Sequence, residues 1–199
     1  MLYQLAQDPL VDAGHDAGIL ELSILSARLA YAMMCLTLCW GIFTSLGWVN
    51  RFTGRQAMRS SHMVLATLTL AFAGVHGISF TLLRNGGSSL FELLIPFNPS
   101  VKIPVSMGIL AFEGMLAAAV AVGLRRWMTY RRWLAVHRIA YLGFLLGIGH
   151  AWFQASASGS IDTLWLAGIT LLVPAITLIL LRLVPPKALA TTGLVEDLR

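Results

Sequence analysis

Charge is scarce in this chain. Only 12% of its 199 residues are Asp, Glu, Lys or Arg, whereas 57% are hydrophobic. Soluble domains cover their surfaces with roughly a quarter to a third charged residues, so this composition excludes an ordinary soluble protein. Cysteine is nearly missing: Cys35 and Cys39 are the only two. They are too few for a thiolate zinc site or a disulfide framework, and a pair on an apolar run is read as packing. A Cys-x-x-Cys-His run is lacking, which excludes covalent c-type haem attachment. No period-two alternation marks a membrane barrel. The first 20 residues lack the charged, apolar and small-residue regions of a cleaved secretory signal, so the first apolar run is expected to stay attached.

What the chain has instead is long apolar runs, with mean hydropathy +0.77. A hydrocarbon core of roughly 30 Å takes about 20 apolar residues to cross as a helix. Runs of that kind lie at about 23–47, 60–83, 103–125, 133–153 and 162–182. Lipid offers the backbone no hydrogen-bond partners, so these runs are expected to be helices. The expectation is an all-α integral membrane bundle of about five transmembrane helices. Residues 1–22 form an outer lead, 23–182 the membrane domain and 183–199 a tail that Pro185 and Pro186 start by stopping the last helix. That tail is too short for a flavin or nicotinamide domain. The outer connection at about 84–102, apolar from Leu90 to Phe97, reads as an interfacial element or a lid.

Positive charge sets the orientation. Arg51, Arg55 and Arg59 follow the first run, Arg125, Arg126, Arg131 and Arg132 follow the third, and Arg182, Lys187 and Arg199 end the chain. These stretches are expected in the cytoplasm, with the N-terminus outside and the C-terminus inside. Trp48, Trp127, Trp133, Trp152 and Trp165 fall near run ends, as in an aromatic belt. The net charge of +5 then reflects topology and implies no nucleic acid. A bacterial cytoplasmic (inner) membrane, crossed several times, is the expected location.

Four of the five histidines lie inside apolar runs: His62 and His76 on the second, His137 and His150 on the fourth. Ionisable groups at membrane depth are costly and mark function. His62 and His76 are 14 residues apart, a rise of about 21 Å and a rotation about 40° short of four turns. His137 and His150 are 13 apart, about 19.5 Å, but about 140° out of phase on an ideal helix. The second histidine helix is therefore expected to be overwound or bent, eased by Gly143, Gly147 and Gly149, which would also let a flat macrocycle approach. Both runs point the same way, so equal depth pairs His62 with His137 at the inner side and His76 with His150 at the outer side. Two neutral imidazoles on one iron are a common haem ligation. The plain alternative is four hydrogen-bonded core histidines. His15, between Asp12 and Asp16, reads as solvated.

The stretch Trp133-Leu134-Ala135-Val136-His137-Arg138-Ile139-Ala140-Tyr141 followed by His150, together with the 14- and 13-residue separations, resembles the ferric reductase and NADPH oxidase transmembrane domain. That superfamily includes the haem subunit of the bacterial methionine-sulfoxide reductase system. Over about 23–182, the resemblance implies a bundle holding two b-type haems and moving single electrons across the membrane. It places His62 and His137 on the inner iron, His76 and His150 on the outer. Members often have six spans with both termini inside, and oxidases continue into an FAD and NADPH module. This chain is expected to lack the first span and to end before such a module, so electrons are expected to come from a separate partner, a cytoplasmic flavin reductase or a quinol, and pass to an extracytoplasmic acceptor, or to flow in from outside.

Other groups read against such cofactors. Arg28 and Arg84 are candidates for outer-haem propionates, Arg59 and Arg138 for the inner ones, with snorkelling to headgroups the alternative for Arg59 and Arg84. Glu113, mid-span, is a proton- or quinone-site candidate or else a neutral carboxyl bonded to a neighbouring helix. Phe144, with Phe72 at similar depth, is a candidate bridge between macrocycles or simple packing. A bound quinone or flavin remains open. Two rival functions also stand: a quinol-oxidising respiratory-type cytochrome b subunit, and a non-redox metal-binding or scaffold protein.

Overall fold

The computed structural model describes residues 9–46, 54–162 and 171–184. Every regular element among them is helical. Helix α1 spans Pro9–Leu46 and α2 Arg55–Ser79, the latter closing in a 3-10 turn at Phe80–Leu82. A short α3 covers Leu90–Leu94, followed by α4 at Ile103–Gly123, a 3-10 turn at Arg125–Trp127, α5 at Tyr130–Ser158 and α6 at Val173–Leu183. Four helices among the described residues, α1, α2, α4 and α5, are long and apolar enough to cross a membrane. The protein is an all-α membrane bundle. Of the fifth expected span, residues 163–170 lie outside the described residues, as do Trp48, Trp165, Arg51, Lys187, Arg199 and Pro185-Pro186.

Helix α1 starts 14 residues before the expected span. Pro9 suits the first helical turn, where its missing N–H costs nothing. At 1.5 Å per residue its 38 residues reach about 57 Å, well beyond a bilayer core. The projecting turns are held from the side: the Asp16 carboxylate accepts the backbone N–H groups of Arg84 (2.9 Å) and Asn85 (3.0 Å), and Asp12 pairs with the Arg84 guanidinium. Among the described residues His15 bonds Asp16 alone (3.2 Å), and it is part-exposed.

The bundle is two helical hairpins. Helix α1 packs along α2, and α4 along α5, whereas α2 and α5 pack little on each other. The α4–α5 seam is close because its residues are small. Ala111, Ala118 and Ala121 are buried on α4 and Gly143 on α5. A Cβ on Gly143 would lie 3.0 Å from the Ala111 carbonyl oxygen. Lipid gives apolar helices no reason to associate, so close backbone approach of this kind supplies the packing. Gly143, Gly147 and Gly149 thus abut Ala111, Met34 and Met107, which are protein neighbours. Helix α5 itself runs unbroken, without a tighter or wider turn at these glycines.

In the core, Cys35 and Cys39 are free thiols packed with Met34, Phe144 and Ala175. At the end of the bundle that carries Asp12, Asp16 and Glu92, α3 exposes Leu90, Phe91 and Leu94, followed by Ile95 and Phe97. A polar turn with an apolar outer face suits a membrane interface. Its start is fixed by a capping box: Ser89 Oγ accepts from Glu92 N–H, and Glu92 accepts from Ser89 N–H (2.8 Å).

Candidate functional site

The four membrane histidines meet as two facing pairs. His62 and His137 have ring centroids 6.3 Å apart, and His76 and His150 6.2 Å. Among the described residues α2 and α5 pack little on each other, and the two histidine pairs face one another across that gap.

Three of the four imidazoles are aimed by the partner helix of their own hairpin. His62 Nδ1 donates to the Thr37 carbonyl (3.0 Å) and His76 Nδ1 to the Ser23 carbonyl (3.0 Å), both on α1. Ser23 Oγ stands at the same 3.0 Å from His76 Nδ1. His150 Nδ1 donates to the Pro104 carbonyl on α4 (2.7 Å). A carbonyl oxygen can only accept, so the proton is on Nδ1 and the Nε2 lone pair is free for a ligand. His137 differs: its Nδ1 is buried and makes no hydrogen bond among the described residues, although the Ala118 carbonyl faces it.

Small residues make this aiming possible. In a helix each Cβ points back towards the N-terminus, so the residue four places on covers a given carbonyl. Thr37, Ser23 and Pro104 are followed at that position by Gly41, Ala27 and Gly108. A Cβ on Gly41 would come 3.0 Å from His62 Cε1, and one on Gly108 2.9 Å from His150 Nδ1. Ala118 is followed instead by Val122. The orphaned His137 ring is stacked on Trp133, with centroids 5.3 Å and planes 12° apart, and Arg125 Cζ lies 4.8 Å from the Trp133 ring centre on α5.

The remaining candidates are spread around this axis. Arg28, Arg59 and Arg138 are exposed. Arg84 has its guanidinium on Asp12. Glu113 is half-buried on α4 and makes no hydrogen bond among the described residues. Phe144 is 2% exposed, within the core cluster against α1 and α6, and Phe72 is half-buried. Gly41, Gly108 and the stacking role of Trp133 were not singled out from sequence. The signals were present: a glycine on each neighbouring helix, and a Trp one turn before His137.

A family model, ferric reductase like transmembrane component, matches residues 26–148, which takes in both histidine pairs except His150. The chain belongs to that family. No curated protein and no solved structure matches it. The family match and the four long apolar helices make it an integral membrane protein of the ferric reductase-like kind, a class associated with electron transfer across membranes.

The residues fit the group such domains usually hold. An imidazole nitrogen lies about 2.0–2.1 Å from a first-row metal and about 1.1 Å from its own ring centre, so two rings on one metal stand roughly 6.2 Å apart. Both pairs match that spacing. Among the described residues no three His, Cys, Asp or Glu side chains converge. Two imidazoles are too few for a closed zinc site, which takes four ligands, but would suffice to hold the iron of a b-type haem, which would supply one-electron chemistry.

Proposed function

We propose that this chain holds two b-type haems, one between His62 and His137 and one between His76 and His150, and relays single electrons between the two faces of the membrane. The observation that carries this reading is the pair of centroid separations, 6.3 and 6.2 Å, each the spacing of two imidazoles sharing one iron. When bound, haem supplies the one-electron ferric–ferrous couple. The chain's own residues do the rest. The Thr37, Ser23 and Pro104 carbonyls hold three rings in the tautomer that presents Nε2. The sparse packing of α2 against α5 and the apolar character of the helices carrying the rings suit a flat, largely apolar group. His62 and His76, 14 residues apart on α2, set the two centres at depths about 21 Å apart.

The arginine-bearing end, with exposed Arg55, Arg59, Arg125, Arg126, Arg131 and Arg132, is the cytoplasmic one in this reading. The positive-inside pattern supports this orientation, and in this reading the membrane is the inner membrane of a bacterium, with a redox partner on each side. The donor in this reading is a cytoplasmic flavin reductase or a quinol. Arg28, Arg59 and Arg138 remain propionate candidates, Glu113 a proton-site candidate and Phe144 a candidate contact between the two cofactors.

The test is haem content by pyridine haemochrome on the detergent-purified protein. Two haems per chain, falling to about one in His76→Ala, are expected. A folded, haem-replete preparation without haem overturns the proposal and favours a scaffold role.

A further inference from the structure

We propose that Trp133 is the positioning residue for His137 and that, backed by Arg125, it holds the inner centre at a higher reduction potential than the outer one. This rests on the haem reading above.

Three of the four imidazoles are oriented by a hydrogen bond to a carbonyl, and His137 is not. Its plane is set by the near-parallel indole of Trp133, one turn earlier on α5. The same indole has two further neighbours: the Arg125 guanidinium lies over the ring at 4.8 Å from its centre, and the Tyr130 ring packs beside it with centroids 5.7 Å apart. Trp133 Nε1 is buried without a hydrogen-bond partner among the described residues, so the contact is one of faces only. The outer pair has no counterpart. Its aromatic neighbour, Phe80, meets His76 edge-on at 83°, and both outer rings keep their acceptors.

Two consequences act in the same direction. A proton shared with a carbonyl makes an imidazole a stronger electron donor, which favours ferric iron and lowers the potential. At His137 the Ala118 carbonyl faces Nδ1 without reaching hydrogen-bond geometry, so the inner iron receives less of this effect than the outer one. The Arg125 cation on the indole that stacks with the ligand also favours the less positive, ferrous state. An electron shared by the two centres therefore settles at the arginine-rich end.

The experiment uses the full-length haem-loaded protein, with redox titration and EPR of the ferric low-spin signals. The inner wave is identified as the one that survives in His76→Ala. In wild type it is expected at the higher potential. Trp133→Ala should lower that wave and shift its EPR signal, because the ring plane is freed, with the outer wave and signal unmoved. Trp133→Phe, which keeps a stacking face, should restore both. Arg125→Gln should lower the inner wave alone. An inner wave below the outer one in wild type, or an inner wave unmoved in Arg125→Gln, overturns the inference while two bound haems leave the haem reading standing. If Trp133→Ala does not retain haem, Arg125→Gln and Trp133→Phe decide. A wild-type protein without haem is the separate failure of the proposed function.

Discussion

His150 on α5 donates its Nδ1 proton to the carbonyl oxygen of Pro104 on α4 at 2.7 Å, the shortest of the three histidine–carbonyl bonds in the bundle. The bond exists because Gly108, one turn along α4, has no side chain there.

That relationship makes Gly108 the most sensitive small residue near the outer pair. The added Cβ of Gly108→Ala would sit 2.9 Å from His150 Nδ1, closer than real contacts, and the ring is already fixed by its bond. Haem per chain is expected to fall from two to about one. Gly74→Ala, with nothing within 4 Å, should keep both. Equal haem content in the two variants would show that the ring can move aside.

Gly143 tests the seam that holds the second hairpin together. Its Cβ would face the Ala111 carbonyl at 3.0 Å, and backbone yields less readily than a side chain. Gly143→Val should destabilise the protein by about 1–3 kcal/mol, the usual cost of overpacking. Thermal unfolding in detergent measures this, and an unchanged Tm would contradict the close packing.

Asp16 tests the clamp on the projecting turns of α1. Its carboxylate takes two backbone N–H groups, from Arg84 and Asn85. Asp16→Ala should release the first turns of α1 to limited proteolysis and leave haem content unchanged. Equal cleavage of variant and wild type would show that the clamp does not hold.

Glu92 gives a pH dependence outside the membrane. Its carboxylate lies below its ordinary range because the Ser89 backbone N–H, then the Ser89 hydroxyl, stabilise the charged form. The folded pKa is depressed, so the cap contributes fully above the ordinary glutamate range and is lost as pH falls towards the folded value. Hydrogen exchange of the α3 amides, corrected for intrinsic rates, should show protection that declines on acidification. Glu92→Gln should reduce that pH response, and an identical response in the variant would exclude the carboxylate as its source.

Much of the fold was legible because the bilayer imposes strong rules. Apolar runs of sufficient length must be helices, and those at 103–125 and 133–153 became α4 and α5 with ends shifted by a few residues. The start of α1 was missed because Asp12, Asp16 and Glu21 make its first turns polar, and hydropathy reports lipid contact rather than helix length. The 140° phase difference between His137 and His150 suggested a distorted helix. Helix α5 is α-helical from Tyr130 to Ser158 and carries both rings to their partners on α2, with side-chain rotamers and helix crossing adding freedom that an ideal wheel omits.

The amino-acid sequence by itself determined that this chain crosses a membrane as helices and that four histidines lie at two depths. Those properties depend on hydropathy and on the fixed rise of a helix, and both are local. Only the tertiary structure decided which groups hold the rings. Thr37, Ser23 and Pro104 are ordinary residues until another helix brings a histidine to their carbonyls, and Gly41 and Gly108 are ordinary glycines until a ring fills the space beside them. The difference between His137, stacked and unbonded, and the other three arises in the same way, from neighbours on the turn before it and on the facing helix.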